Sequence, residues 1–232
     1  MDRAHIASML GGAVEIRLRD GRTVHVRPVR PGDAAAVQTF VRGLSVATRR
    51  LRFFAPIREL TPSMLKRLTE VDGWRDRVLV ALAEDDNGGR VVALAQYAAD
   101  ASMRCDLALV IADAWQNLGL GRLLLDMLVQ TARDAGFARA EGDVLRGNDA
   151  MLGLARAFGF AVARSPHDAT MVRITRDLAV HGNTTPAAAQ PPLLGEEGKT
   201  QRPARSGSPV NSSLQKPPPW KRSATGSSAS FA

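Results

Sequence analysis

One sequence feature limits the possible folds of this chain more than any other. It is a strand pattern that is followed by a glycine-containing loop and then by a helix. The β-rich run at 105–111 leads to the loop Gln116-Asn117-Leu118-Gly119-Leu120-Gly121, and apolar residues keep the helical period from 122 to 135. Such a unit aims backbone N–H groups at one point, where the helix dipole adds partial positive charge. The loop is therefore predicted to bind a pyrophosphate, with a full charge supplied by Arg122.

Two other phosphate-binding motifs do not match the residues of the glycine loop. A P-loop requires Gly-Lys-Ser/Thr, whereas Gly121 is followed by Arg122-Leu123. A dinucleotide-binding fingerprint needs a third glycine where Leu124 stands, and an early strand–helix–strand unit that the pattern lacks. A glycine pair before a helix can also form only a tight turn, so the motif by itself leaves that alternative open.

Hairpins and helices alternate in the pattern of the whole chain. Strands are predicted at 14–18, 24–27, 78–83, 91–97, 105–111, 139–145, 160–163 and 170–174. Helices are predicted after the capping residues Asp33 and Thr61, from 122 to 135, and from 148 or 149 to 158. One strand–helix–strand unit among hairpins predicts a mixed sheet with helices on its faces.

The end of the chain differs from the rest in composition. Residues 178–232 contain eight of the 13 prolines, and their six Lys+Arg against two Asp+Glu give +4 of the net charge of +8. The segment has so few apolar residues that their burial would not offset the entropy cost of ordering it. We expect a folded domain over 1–177 and a disordered, basic Pro/Ser/Gly-rich tail over 178–232.

Several classes of partner are not supported by the sequence. The basic residues form no dense run with interleaved aromatics, so no nucleic-acid partner is expected. No stretch approaches the ~18–20 apolar residues of a membrane span, and the first residues lack the apolar core of a secretory signal. The single cysteine, Cys105, and the histidine spacing offer no metal site. We expect a cytoplasmic protein with no metal and no membrane partner.

Two ordered motifs resemble those of the GNAT acetyltransferases. The run Leu-Val-Ile-Ala-Asp-Ala-Trp-Gln-Asn-Leu-Gly-Leu-Gly-Arg-Leu-Leu at 109–124 resembles motif A, with its Gln/Arg-x-x-Gly-x-Gly/Ala signature, and 148–160 resembles motif B. Upstream, Arg52-Phe53-Phe54-Ala55-Pro56 and Leu60-Thr61-Pro62 resemble the GNAT domains of bacterial Pat-type protein-lysine acetyltransferases. The resemblance implies an α/β (α+β) fold: a mixed, mostly antiparallel sheet of six to seven strands flanked by about four helices.

The resemblance also implies an acetyl-coenzyme A site. The residues expected to contact the coenzyme are Leu109, Val110, Ile111, Gln116, Asn117, Leu118, Gly119, Leu120, Gly121, Arg122 and Asn148. The backbone at 109–111 would pair with the pantetheine amides like an added strand. A backbone N–H near Val110 would polarise the thioester carbonyl.

The chemistry that the resemblance implies is acetyl transfer to a primary amine, such as a protein lysine or a small molecule, by direct attack in a ternary complex. Only about one exposed lysine in a thousand is neutral near pH 7.4, so a base is useful, and Asp106 lies where related enzymes often have Glu. A strand-end carboxylate paired with an Arg is the alternative for Asp106. Ala155 stands where many members carry an acidic Tyr. The competing function is therefore an acyl-CoA-sensing regulatory module without turnover.

Overall fold

Eight strands form one sheet in the computed structural model of the chain, which describes residues 12–84, 89–165 and 168–178. The strands are β1 (Val14–Arg17), β2 (Thr23–Pro28), β3 (Asp76–Ala83), β4 (Arg90–Ala99), β5 (Arg104–Ile111), β6 (Arg139–Leu145), β7 (Ala161–Arg164) and β8 (Met171–Asp177). They lie in the order β1-β2-β3-β4-β5-β6-β8-β7. Each neighbouring pair is antiparallel except β5 and β6, which are parallel.

Five α-helices are found within the described ranges: α1 (Ala34–Gly43), α2 (Val46–Phe53), α3 (Pro62–Thr69), α4 (Leu120–Asp134) and α5 (Asp149–Ala157). Short 3-10 helices cover Pro31–Asp33 and Asp113–Trp115. The Thr61 hydroxyl accepts a hydrogen bond from the Met64 N–H and caps α3 as predicted. Asp33 precedes α1 but makes no side-chain cap, because its carboxylate binds the Arg27 guanidinium at 2.7 Å instead.

The predicted fold class is confirmed, with more elements than expected. The sheet has the eight strands that the residue pattern predicts rather than the six to seven that the resemblance implies, because the four-residue edge strands β1 and β7 both pair with their neighbours. The additional helix is α2. Its buried residues are Thr48 and Arg52, so its inner face is polar and leaves no apolar periodicity in the sequence.

Separate cores lie on the two faces of the sheet. The first core packs α4, through Leu124, Leu125 and Leu128, against β3 to β6. The second core packs α1 and α3 against the other face and includes Phe40 and Leu94. Strand β4 is buried from Val91 to Tyr97 because both of its faces are covered.

Strands β5 and β6 separate shortly after they begin. Their parallel pairing covers only Arg104 with Arg139, Cys105 with Ala140, and Asp106 with Glu141. Next on β6 is Gly142, where a Cβ atom would lie 3.1 Å from the Leu107 carbonyl oxygen. Glycine therefore allows the two backbones to approach closely at the point where they part.

The described chain ends at Leu178, which belongs to the packed domain. Its N–H donates to the Ala138 carbonyl at 2.8 Å, and its side chain is 2% exposed in the first core. The turn at 85–88, His167 and residues 179–232 lie outside the described ranges, so the predicted turn there and the predicted disordered tail stay predictions.

We expect Leu178→Ala to lower the free energy of unfolding by about 2–5 kcal/mol, because it leaves a cavity beneath β8. Urea denaturation of the full chain measures this loss. Val46→Ala is the control, since Val46 is 70% exposed and should change stability by no more than about 0.5 kcal/mol. Equal stabilities of the two variants would show that Leu178 does not pack in solution.

Candidate active site

The glycine loop places several N–H groups at the start of α4. Gly119 has φ +91°, a conformation that L side chains rarely adopt, and its carbonyl accepts the N–H groups of Arg122 and Leu123 at 3.1 and 3.2 Å. Within the described ranges, the N–H groups of Gly119, Leu120 and Gly121 donate to no protein acceptor. Three backbone donors at a helix N-terminus fit an anionic ligand.

Gly121 has a packing role. A Cβ atom there would lie 3.2 Å from Ile111 Cδ1, 3.6 Å from Leu154 Cδ2 and 3.7 Å from Leu109 Cδ2. The missing side chain thus lets α4 approach β5 and α5 closely. The N–H of Gly121 still belongs to the loop.

The polar residues before the loop bind it to α2. The Asp113 carboxylate accepts the Ser45 N–H at 3.0 Å, the Ser45 hydroxyl at 2.7 Å and the Thr48 hydroxyl at 2.8 Å. The Gln116 side-chain amide donates to the Ile111 carbonyl at 3.1 Å and lies 3.3 Å from the Thr48 hydroxyl. The Gln116 side chain therefore fixes the loop to the end of β5 and to α2.

Three arginines surround the loop, and two of them come from the β1–β2 turn. The Arg19 N–H donates to the Leu118 carbonyl at 3.4 Å, and its side chain lies beside Gly119. Arg22 donates to the Ala114 carbonyl at 3.0 Å and stacks 4.1 Å from the centre of the Trp115 ring. The Arg122 guanidinium lies 5.2 Å from the centre of the Phe158 ring. Sequence reasoning missed Arg19 and Arg22, which are distant from the loop along the chain.

A narrow cleft of about 30 Å³ opens where β5 and β6 separate. We call it the strand cleft; its lining includes Arg52 from α2, Leu107 to Leu109 from β5, Asp143 from β6, and Asn148 and Met151 from α5. Asn148 caps α5 by accepting the Met151 N–H at 3.1 Å. Among the other predicted coenzyme residues, Val110 packs in the second core, whereas Leu109 and Ile111 pack against the first.

Asp106 precedes Leu107 of the strand cleft, occupies the last paired position of β5 with β6, and is bound by an arginine. Arg173 of β8 reaches three carboxylates: Asp143 at 2.9 Å, Glu141 at 3.1 Å and Asp106 at 3.6 Å. Glu141 and Asp143 do not lie at a sheet edge, because β6 lies between β5 and β8, and the Asp143 side chain is 2% exposed. Arg173 thus joins carboxylates of β5 and β6.

A larger cavity of about 310 Å³ lies on the same side of the sheet as the second core. We call it the α3 cavity; it is lined by residues of α2, α3, β3 and β4. Burial and the neighbouring Asp72 raise the pKa of the Asp76 carboxyl on its wall. Arg52 is 7% exposed and donates to the Gln96 side-chain oxygen at 2.9 Å, and burial lowers the pKa of its guanidinium to about 10. Arg52 lines both the α3 cavity and the strand cleft.

The architecture and the loop have counterparts among known proteins. The sequence matches the model of the Acetyltransferase (GNAT) family over residues 46–160. A relative from Pseudomonas aeruginosa, Acetyltransferase PA5475, is 38% identical over 156 residues, which cover 67% of this chain and 84% of the relative. The chain belongs to the GNAT acetyltransferase family.

This GNAT chain is also similar to proteins that carry the name Pat. Acetyltransferase Pat of Mycolicibacterium smegmatis is 28% identical over 141 residues, which cover 60% of this chain and 41% of that protein. The crystal structure of the GNAT domain of S. lividans PAT superimposes with a TM-score of 0.65 at 28% identity, covering 71% of this chain and 96% of that domain. The chain thus spans under half of the mycobacterial Pat.

The described ranges of this GNAT chain contain neither a membrane-spanning helix nor a cluster of metal-binding side chains. None of the helices there has the length and apolarity to cross a bilayer. The same ranges hold no group of three or more His, Cys, Asp or Glu side chains placed to bind a metal ion. Cys105 is buried, and burial raises the pKa of its thiol to about 12, so it is not a nucleophile at neutral pH.

The Asp113 contacts predict a pH-dependent stability. Desolvation raises the pKa of Asp113, but hydrogen bonds from Ser45 and Thr48 outweigh it and hold that pKa below its ordinary value. Such a group stabilises the fold above its unfolded pKa and loses that contribution as the pH falls through the folded pKa. Asp113→Asn should therefore be less stable at pH 7 by about 1 kcal/mol, allowing for solvent exposure.

Thermal unfolding at several pH values tests this prediction, and the difference from wild type should vanish in acid. Asp134→Asn is the control, since Asp134 is an exposed carboxylate of α4 outside this network. A stability difference for Asp113→Asn that stays constant from pH 7 into acid would contradict the assignment.

Proposed function

We propose that this GNAT domain binds acetyl-coenzyme A and transfers its acetyl group to a primary amine. The observation that carries the proposal is the position of the glycine loop. The unpaired N–H groups of the loop lie at the end of β5, and the other half of β5 borders the strand cleft. A pyrophosphate on the loop and an extended arm along β5 would share one continuous surface. The similarity to acetyltransferases supports this reading of the surface.

Each part of that surface has a chemical task in the proposal. The N–H groups of Gly119, Leu120 and Gly121 bind the pyrophosphate, with Arg19 and Arg122 adding positive charge. The backbone from 109 to 111 pairs with the pantetheine amides, because strand addition satisfies amide groups without side chains. Asn148, at the strand cleft, holds the arm from the α5 side.

Asp106 is the proposed base. The amine nitrogen bonds to the thioester carbon, the carbon–sulfur bond breaks, and the proton of the attacking nitrogen passes to Asp106 directly or through water. The Arg173 guanidinium lies 3.6 Å from the Asp106 carboxylate and helps to orient it. The acceptor is a protein lysine or a small primary amine, as the resemblance of residues 52–62 to the Pat-type protein-lysine acetyltransferases implies.

The departing thiolate is proposed to take its proton from water. Ala155, at the position where many family members carry Tyr, is buried in the first core and has no acidic proton. A thiol has a pKa near 8.5, far below that of an amine, so its anion leaves without a side-chain acid. The competing function, an acyl-CoA sensor without turnover, would show coenzyme binding but no release of free thiol with any amine.

Asn117→Asp tests the anion-binding loop without changing side-chain size. Asn117 is exposed with φ 62°, a conformation that Asp also tolerates. The added negative charge should weaken coenzyme A binding about tenfold, or about 1.4 kcal/mol, as measured by calorimetry. Gln130→Glu, the same isosteric charge change further along α4, should leave the affinity unchanged. Unchanged affinity in Asn117→Asp would remove the loop from the site.

Asp106→Asn tests the base. The transfer rate should fall at least about a hundredfold at neutral pH while coenzyme affinity persists, and higher pH should restore part of the rate because more amine is then neutral. Glu141→Gln is the matched control, since Glu141 binds the same Arg173 but is not the proposed base. If both variants lost the same activity, Asp106 would be a structural partner of Arg173 only.

A further inference from the structure

The hydroxyl of Thr48 lies at the centre of a chain of hydrogen bonds between α2 and the glycine loop. It donates to Asp113 Oδ1 at 2.8 Å, and it lies 3.3 Å from the side-chain nitrogen of Gln116. The same Gln116 nitrogen donates to the Ile111 carbonyl at 3.1 Å. Thr48 is 8% exposed, so water competes little for its contacts. Thr48 therefore joins the segment before the loop to the first residue of the loop.

The chemistry of these groups gives the chain of hydrogen bonds one direction. An ionised carboxylate only accepts, so the single proton of the Thr48 hydroxyl points to Asp113. The lone pairs of that hydroxyl then face Gln116, and the Ile111 carbonyl is also an acceptor. The Gln116 amide must turn its nitrogen toward both, and its two N–H groups are used there. The Gln116 amide therefore serves to place the loop.

Two residues of the loop have a backbone conformation that needs such support. Asn117 and Gly119 have φ of 62° and 91°, in the left-handed region that L side chains rarely adopt. A backbone of this kind persists only where the surrounding contacts hold it. Gln116 directly precedes the first of these residues. The orientation of its side chain thus fixes the point at which the left-handed turn begins.

The contacts from the β1–β2 turn support the same region less firmly. The Arg19 N–H donates to the Leu118 carbonyl at 3.4 Å, and Arg22 donates to the Ala114 carbonyl at 3.0 Å. Arg19 is exposed, and the Arg22 side chain is 39% exposed, so water competes for both contacts. The buried Thr48 hydroxyl is therefore the contact whose loss the solvent replaces least well.

We infer that Thr48 is a positioning residue for the coenzyme. Its hydroxyl directs the Gln116 amide and thereby holds the N–H groups of Gly119, Leu120 and Gly121 in the geometry that binds a pyrophosphate. The inference rests on the proposed binding of acetyl-coenzyme A and deepens it. A loop already held in its binding conformation loses less entropy when a ligand binds. Support from Thr48, which lies on α2 outside the loop, is thus measurable as coenzyme affinity.

The first experiment measures binding of coenzyme A to the full chain by calorimetry. Thr48→Val removes the hydroxyl at nearly constant shape and should raise the Kd about tenfold. Thr48→Ser keeps the hydroxyl and should stay within about twofold of wild type. A wild-type Kd in Thr48→Val would overturn the inference. An equal loss of affinity in Thr48→Ser would overturn it as well, since the methyl group and not the hydroxyl would then matter.

Thr69→Val is the matched control for a merely structural effect. Thr69 is 3% exposed, and its hydroxyl donates to the Leu65 carbonyl of α3 at 2.9 Å, away from the loop. This variant also loses a hydroxyl from a buried helical threonine, but its coenzyme A affinity should equal that of wild type. If Thr69→Val raised the Kd as much as Thr48→Val, a general loss of stability would explain both effects and the inference would fail.

The second experiment tests the route through Gln116. Gln116→Leu removes the amide and should also raise the Kd about tenfold. If Thr48 acts through Gln116, the double variant should show about the same tenfold loss, because both changes break one contact. A loss near a hundredfold, the product of two independent effects, would overturn that route. If Thr48→Val lacks a cooperative thermal transition, Gln116→Leu decides, and a wild-type Kd in it contradicts the inference.

The inference and the proposed function fail in different ways. If wild type binds coenzyme A but releases no thiol from acetyl-coenzyme A with any amine, the proposed transfer fails, and the affinities of the variants still decide the role of Thr48. If wild type transfers acetyl groups while Thr48→Val keeps the wild-type Kd, the inference alone fails. Wild type that does not bind coenzyme A contradicts both.

Discussion

The separation of β5 and β6 after their third pair is the constraint on which the rest of the structure depends. Two parallel strands that part leave backbone N–H and C=O groups without ladder partners, and such groups need other partners when they are buried. Gly142 brings the strands close at the point of separation, and β8 pairs with all of β6 and keeps it in the sheet. The cleft is thus a gap in an otherwise continuous sheet. An extended ligand that carries amide groups can fill such a gap by pairing with the free strand edge.

The charge at the base of the gap follows from the same topology. β8 pairs with β6 so that Arg173 stands opposite Asp143, and β6 pairs with β5 so that Glu141 stands opposite Asp106. One guanidinium therefore meets three carboxylates from two strands. This arrangement holds the parting strands together. The ion pair also orients the Asp106 carboxylate, which its proposed role as a base requires.

The sequence predicted the elements that depend on residues close together in the chain, and it missed the contacts between residues far apart in the chain. The strand–loop–helix unit, the hairpins and the cap at Thr61 depend on residues close in the chain, and all were placed within a few residues. The Arg173 cluster joins residues 106 and 173, and the approach of Arg19 to Gly119 joins residues 100 apart, so no spacing rule reveals either. The close approach of Gly121 to Ile111 and Leu154 is a further contact that the sequence does not reveal. Helix α2 was missed because it buries Arg52 and Thr48, which a search for apolar periodicity passes over.

Helix α2, with its polar inner face, contacts both the glycine loop and the strand cleft. Through Ser45 and Thr48, α2 holds Asp113 and thereby the loop, and through Arg52 it borders both the cleft and the cavity. Neutral apolar residues at Thr48 and Arg52 would pack α2 at lower desolvation cost, since a buried guanidinium is expensive to remove from water. The hydrogen bond from Arg52 to Gln96 offsets part of that cost and fixes the guanidinium between the strand cleft and the α3 cavity.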